Sequence, residues 1–130
     1  MVEGSCLCQG FRFEVNGEFS NMTDCHCSMC RKAHGAAFAT FVGCRTDDYK
    51  IVQGEDLVSK YKSSEQGVRC FCKVCGTNLP MAFEEQVYIP AGILDGDPGV
   101  RTSAHYFVGS KAAWVDIADD APQHKEFPTS

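Results

Sequence analysis

Arg69-Cys70-Phe71-Cys72-Lys73-Val74-Cys75-Gly76-Thr77 is the stretch on which the reading of this chain turns. Cys72 and Cys75 form a C-x2-C pair, a spacing that lets two sulfurs of one turn converge on an ion. Gly76 can adopt a positive φ and so let nearby backbone N–H groups point at a sulfur. The motif recurs as Cys25-His26-Cys27-Ser28-Met29-Cys30, and Cys6-Leu7-Cys8 adds a third tight group. Only Cys44 stands apart. Disulfides would leave one of the nine cysteines unpaired, and they suit an exported chain. Met1 to Phe11 shows no cationic stretch leading into an apolar block, so no secretory signal is read there. Clustered thiolates in a reducing compartment favour zinc over magnesium or calcium, with an iron–sulfur cluster as the alternative from the same ligands.

A structural zinc takes four protein ligands, whereas a catalytic one takes three and keeps a position open. Cys72 and Cys75 need two more sulfurs, which Cys6 and Cys8 would supply. Cys25, Cys27 and Cys30 then remain as a group of three. Spacing alone does not force this allocation, because Cys70 or His26 could also close the second site.

Outward from the cysteines, the chain has the make-up of one folded domain over residues 1–130, with 44% apolar and 22% charged residues. No run approaches the ~20 apolar residues of a membrane helix, and the expected protein is soluble and cytoplasmic. Residues 1–75 are electrically balanced, and residues 76–130 carry the whole net charge of −5. There is no basic stripe of the kind that displaces counterions from nucleic acid. Lys60, Lys62, Arg69 and Lys73 read as a solvated face, although they could hold a small anion. Arg31 and Lys32, beside Cys30, are the preferred steering pair for an anionic ligand.

The pattern of apolar residues is that of short strands and turns. Phe11, Phe13 and Val15 alternate with Arg12 and Glu14, followed by an Asn16-Gly17 turn. Further strands are expected at 37–42, 49–52, 57–61, 68–71, 79–83, 86–90 and 105–108, giving a folded-over antiparallel assembly. Ser28 to His34 reads as one or two helical turns. Ser110 is placed to cap a second short helix through Trp114 to Ile117. The segment after Ala121 is expected on the surface.

The strings Gly4-Ser5-Cys6-Leu7-Cys8, Cys25 to Lys32, Arg69 to Thr77, Leu94-Asp95-Gly96-Asp97-Pro98 and Val108-Gly109-Ser110-Lys111 occur in this order. Together they resemble the family of the glutathione-dependent formaldehyde-activating enzyme and centromere protein V. The resemblance runs over nearly the whole chain. It implies a mainly β, Mss4-like (β-tent) fold with two zinc ions per chain. It further implies a structural ion on Cys6, Cys8, Cys72 and Cys75 and a catalytic ion on Cys25, Cys27 and Cys30. The implied activity is that of a carbon–sulfur lyase or synthase, which joins a thiol such as glutathione reversibly to an aldehyde such as formaldehyde.

The remaining candidates have plainer readings. His26 is expected behind the ligands or at the surface, and His105 as a hydrogen-bonded structural residue in a strand. His34 is a weaker candidate for a catalytic role, and His124 is expected to be exposed. Trp114 reads as core packing or a lid, and Cys44 as a small buried apolar residue. Asp95 to Gly99 reads as a turn, because a calcium loop needs further carboxylates.

Three thiolates make zinc a weaker acid toward water than three neutral imidazoles do, so the open position suits a fourth sulfur better than hydroxide. The competing reading is a binding module in which both zincs are structural. The two sites should also respond differently to mutation, since zinc–thiolate binding in small domains is worth ~10–16 kcal/mol. Cys75→Ala is expected to unfold the chain, whereas Cys27→Ala leaves it folded with one zinc instead of two. Circular dichroism and metal analysis of both variants check this, and equal loss of structure in the two would contradict it.

Overall fold

The computed structural model describes residues 1–65 and 67–127. Its eleven strands are β1 (Val2–Ser5), β2 (Arg12–Val15), β3 (Met22–Cys25), β4 (Ala39–Arg45), β5 (Tyr49–Gln53), β6 (Val58–Lys62), β7 (Val68–Cys72), β8 (Asn78–Leu79), β9 (Met81–Ala82), β10 (Gln86–Pro90) and β11 (Thr102–Tyr106). The one α-helix among the described residues, α1 (Ser28–His34), lies between β3 and β4. The strands form three sheets, in the orders β1-β2-β5, β11-β3-β4-β10-β9 and β6-β7-β8. Neighbours run antiparallel except β11 with β3, which run parallel. The chain is thus mainly β, as its short apolar alternations predict.

Period-two alternation explains β2: Phe13 and Val15 are buried while Arg12 and Glu14 stay partly exposed. Phe13 packs its ring 6.0 Å from Phe11 and 5.6 Å from Tyr49. With Val42, Cys44, Leu79, Val87 and Ile89 they form a core that also takes in Cys6 and Cys72. Cys44 is therefore the small buried residue its sequence context suggests. β1 is a strand that the sequence pattern does not announce, because it has no apolar alternation. It lies on β2 because residue 4, opposite Phe13, is glycine: a Cβ there would run into the Phe13 ring.

β3 is likewise unannounced, since Met22-Thr23-Asp24-Cys25 carries a carboxylate. That carboxylate is buried and satisfied by its neighbours. Thr40 Oγ1 donates to it at 2.7 Å, Thr102 Oγ1 lies 3.4 and 3.5 Å from its two oxygens, and His105 Nδ1 stands 3.7 Å away. A buried acid held this way lets a polar strand sit between β4 and β11.

Three other expectations change. The 79–83 strand divides around Pro80, which lies between β8 and β9 and has no N–H to donate to a ladder. The strand expected at 105–108 instead spans Thr102–Tyr106, followed by a 3-10 turn at Val108–Ser110. No helix runs from Ser110 to Ile117; the segment offers only Ala112 and Val115 to the interior. The Lys111 ammonium holds it from within, donating to the carbonyls of Ala112 and Val115. Trp114 is accordingly neither core nor lid: it is 74% exposed.

Replacing Phe13 by alanine removes a ring that packs against Phe11, Tyr49 and the facing glycine. The expected cost is about 3–5 kcal/mol of folding stability, measurable by urea denaturation of the metal-loaded protein.

Candidate functional site

The fold gathers the cysteines into two groups. Cys6 and Cys8 follow β1, Cys72 ends β7, and Cys75 lies in the turn before β8. Their four sulfurs all lie within 4.8 Å of one another, joining the first sheet to the third. Cys6 and Cys8 are 3.5 Å apart at Sγ, and Cys8 and Cys72 3.9 Å. Gly76 has φ +79° and donates its N–H to the Cys72 carbonyl at 2.8 Å, closing the knuckle. Thr77 Oγ1 lies 3.2 Å from Cys75 Sγ and accepts the N–H of Leu7 at 3.0 Å. These contacts draw the Cys75 thiol down to about 5, first through the Thr77 hydroxyl, then through the N–H groups of Thr77 and Cys8.

The second group is built where β3 becomes α1. Cys25 ends the strand, and Cys27, in extended conformation, caps the helix by accepting the N–H of Cys30 at 3.2 Å. Gly35, at φ 58°, ends the helix about two turns later. The sulfurs of Cys25, Cys27 and Cys30 lie within 4.8 Å of one another, with no fourth His, Cys, Asp or Glu donor among the described residues. Cys70 pairs with Leu79 and Lys60 in the third sheet and does not join them. His26 is wholly buried and turns its Nε2 to His105 Nδ1 at 2.9 Å, leaving Nδ1 without a partner. His26 thus lies behind the sulfurs, and burial, with His105 adding, pushes its pKa down.

His105 is the hydrogen-bonded strand residue expected, and it ties in the C-terminal segment as well. Its Nε2 contacts the Asp119 carboxylate at 3.0 Å, and its backbone bonds with Pro122 and His124. His124 is half-buried against the Tyr106 ring rather than exposed. His34 packs edge-on to Phe41 and joins neither sulfur group.

The charge beside the trio comes from a residue whose sequence context suggests a solvated face. Arg69, on β7, brings Nη2 to 3.5 Å from Cys30 Sγ. Arg31 instead donates to the His26 carbonyl at 3.4 Å, and Lys32 is exposed. The cation in contact with the trio is therefore Arg69, which lies on β7 and reaches the helix only through the tertiary fold. The Cys30 thiol is drawn down to about 5, chiefly by the hydrogen bond from Cys25, with burial opposing and Arg69 assisting. Cys25 is raised in return, first by that same bond and then by burial.

A cleft of about 760 Å³ opens beside Cys25 and Cys30, between β3, α1, β7 and β10. Its volume lies in the range of small-molecule sites. No helix among the described residues is long and apolar enough to cross a membrane.

Two cysteine groups able to hold a soft metal ion, one of them lining such a cleft, define a mainly β protein with metal-binding capacity. The chain matches the family described as glutathione-dependent formaldehyde-activating enzyme over residues 1–110, and it belongs to that family. It is 31% identical over 120 residues to a protein of Schizosaccharomyces pombe named as an uncharacterized lyase, covering 90% of this chain and 85% of the relative. It is 29% identical over 127 residues to a Halomonas elongata protein named "Putative glutathione-dependent formaldehyde-activating enzyme", covering 90% and 81%. Its fold is similar to the crystal structure of a Rhodobacter sphaeroides protein, with TM-score 0.60 and 25% identity over 73% of this chain and 89% of the other.

Arg69→Met is expected to raise the Cys30 pKa in the metal-free protein by about one unit, because a neighbouring cation favours the thiolate. The rate of Cys30 alkylation by iodoacetamide, followed against pH by peptide mass spectrometry, checks the upward shift.

Proposed function

We propose that this chain is a zinc-dependent carbon–sulfur lyase that joins a thiol reversibly to an aldehyde at Cys25, Cys27 and Cys30. The observation that carries the reading is the trio itself: three converging sulfurs with no fourth donor among the described residues, set against a cleft. The names of the family and of its lyase relative support the reaction class.

Zinc suits both cysteine groups on the chemistry of their donors. Corners of a tetrahedron around zinc with ~2.3 Å zinc–sulfur bonds stand ~3.8 Å apart. The Sγ separations of 3.5 and 3.9 Å in the first group match that edge. Cys6, Cys8, Cys72 and Cys75 would hold a structural ion and Cys25, Cys27 and Cys30 a catalytic one, two per chain. When bound at the trio, zinc supplies a Lewis-acidic centre that lowers the pKa of an incoming thiol while leaving its sulfur nucleophilic.

The chain's own residues supply the rest. The Arg69 guanidinium offsets excess negative charge at the three sulfurs and attracts a thiolate to the same spot. The buried His26–His105 pair, braced by Asp119, fixes the strand that carries Cys25. In the synthetic direction the thiol sulfur bonds to the carbonyl carbon. The carbon–oxygen π pair moves to oxygen, and the proton lost by sulfur ends there. The lyase direction reverses each movement, and no oxidant or reductant is needed. The reading takes residues 1–130 as one domain working in a reducing cytoplasm, the setting in which free cysteines persist.

Cobalt substitution tests the open position. Saturating glutathione or 2-mercaptoethanol is expected to intensify the sulfur-to-cobalt absorption of the loaded protein. An unchanged spectrum would mean a closed, structural second site and would overturn the enzyme reading.

A further inference from the structure

The lining of the cleft says more about the substrate than the sulfur groups do. Among the described residues, the large apolar side chains left open to solvent are not scattered evenly. Of the eleven such side chains, five, Met29, Val68, Phe83, Tyr88 and Phe127, all more than 40% exposed, border this one cleft. Deeper in, Phe41, Met81 and Tyr106 continue the apolar wall. Phe83 and Tyr88 meet edge to face at 5.8 Å, and Phe127 stacks in the same manner on Tyr106 and Phe107. Contiguous exposed apolar surface of this kind marks a binding site for apolar matter.

The charges are as informative. The described lining residues include one cation, Arg69, and no carboxylate. Arg69 stands beside Cys30, with Nη2 3.5 Å from its sulfur. Glutathione brings two carboxylates and an ammonium. The ammonium finds no acid on these walls, and its carboxylates must share a guanidinium already engaged with the Cys30 sulfur. The remaining polar liners, such as Ser20, Asn21, Thr23 and Gln86, are neutral. A charged peptide body would exchange part of its water there for apolar walls, neutral polar side chains and a single cation.

We infer that the cleft selects a thiol with an uncharged, apolar body, such as one carrying an aryl ring, in preference to glutathione. This rests on the proposed thiol site at Cys25, Cys27 and Cys30 and specifies its substrate class. The sulfur lies at the trio under Arg69, and the apolar body lies along Phe83, Tyr88 and Phe127.

Calorimetric titration of the zinc-loaded protein with phenylmethanethiol, glutathione and benzyl alcohol tests the inference. Phenylmethanethiol is expected to bind at least about tenfold more tightly than glutathione, since burial of one ring is worth that much. Phe83→Ser and Tyr88→Ser, at partly exposed positions, are each expected to shrink the ratio of these two affinities at least fivefold. A merely structural effect would lower both affinities together and leave the ratio unchanged. Glutathione binding as tightly as phenylmethanethiol, or a ratio unmoved by both substitutions, overturns the inference. Benzyl alcohol separates it from the reading beneath it. If the alcohol matches the thiol and both exceed glutathione, apolar selection stands while the thiol site falls. If glutathione and phenylmethanethiol bind equally and benzyl alcohol does not bind, the thiol site stands and apolar selection falls.

Discussion

Sulfur atoms that converge to within 4.8 Å cannot all be ionised without a cation between them, and this constraint governs the molecule. Without a metal the groups relieve it with protons: Cys25 is raised while Cys30 is lowered, the first donating to the second. The protein invests backbone geometry in holding the sulfurs together despite that repulsion. The Gly76 turn, the Cys27 cap and the Thr77 hydroxyl each hold one sulfur in place. The first group also belongs to the hydrophobic core through Cys6 and Cys72, so its integrity and that of the three sheets are not separable.

The second group differs in its surroundings more than in its chemistry. It sits at the end of a strand whose Asp24 is buried, with a buried imidazole pair behind it, a guanidinium beside it and a cleft in front. Rigid support on one side and open volume on the other is the arrangement expected of a site that receives a ligand. The supporting side also enlists Asp119 and the segment around Pro122 to His124, which lies beyond the residues matched by the family.

The trio and each half of the first sulfur group are legible in the cysteine spacing, because each close-set run of thiols is a local pattern; the union of the two halves is long-range, and spacing alone leaves it open. Alternation makes β2, β5, β7 and β10 legible for the same reason. The residues that resist such reading depend on partners distant in sequence. Asp24 looks wrong for a strand until Thr40, Thr102 and His105 are placed around it. Gly4 carries no strand signal until the Phe13 ring lies over it. Arg69 looks like one of four solvated cations, since nothing local shows that it reaches Cys30. Trp114 defeats the rule that large aromatics are usually buried, because its segment is anchored by Lys111 instead.

The separation of the two halves of the first sulfur group has a consequence for synthesis. Cys72 lies 64 residues after Cys8, whereas Cys25, Cys27 and Cys30 share one strand-to-helix junction. On a ribosome the local trio is complete while the N-terminal pair still waits for its counterpart. A metal ion captured early would therefore meet the trio first, and the long-range clasp closes only as β7 and β8 emerge. High contact order of this kind slows folding and leaves the N-terminal sheet edge uncovered in the interval. A nascent chain of this protein is most exposed to aggregation and thiol oxidation in that window.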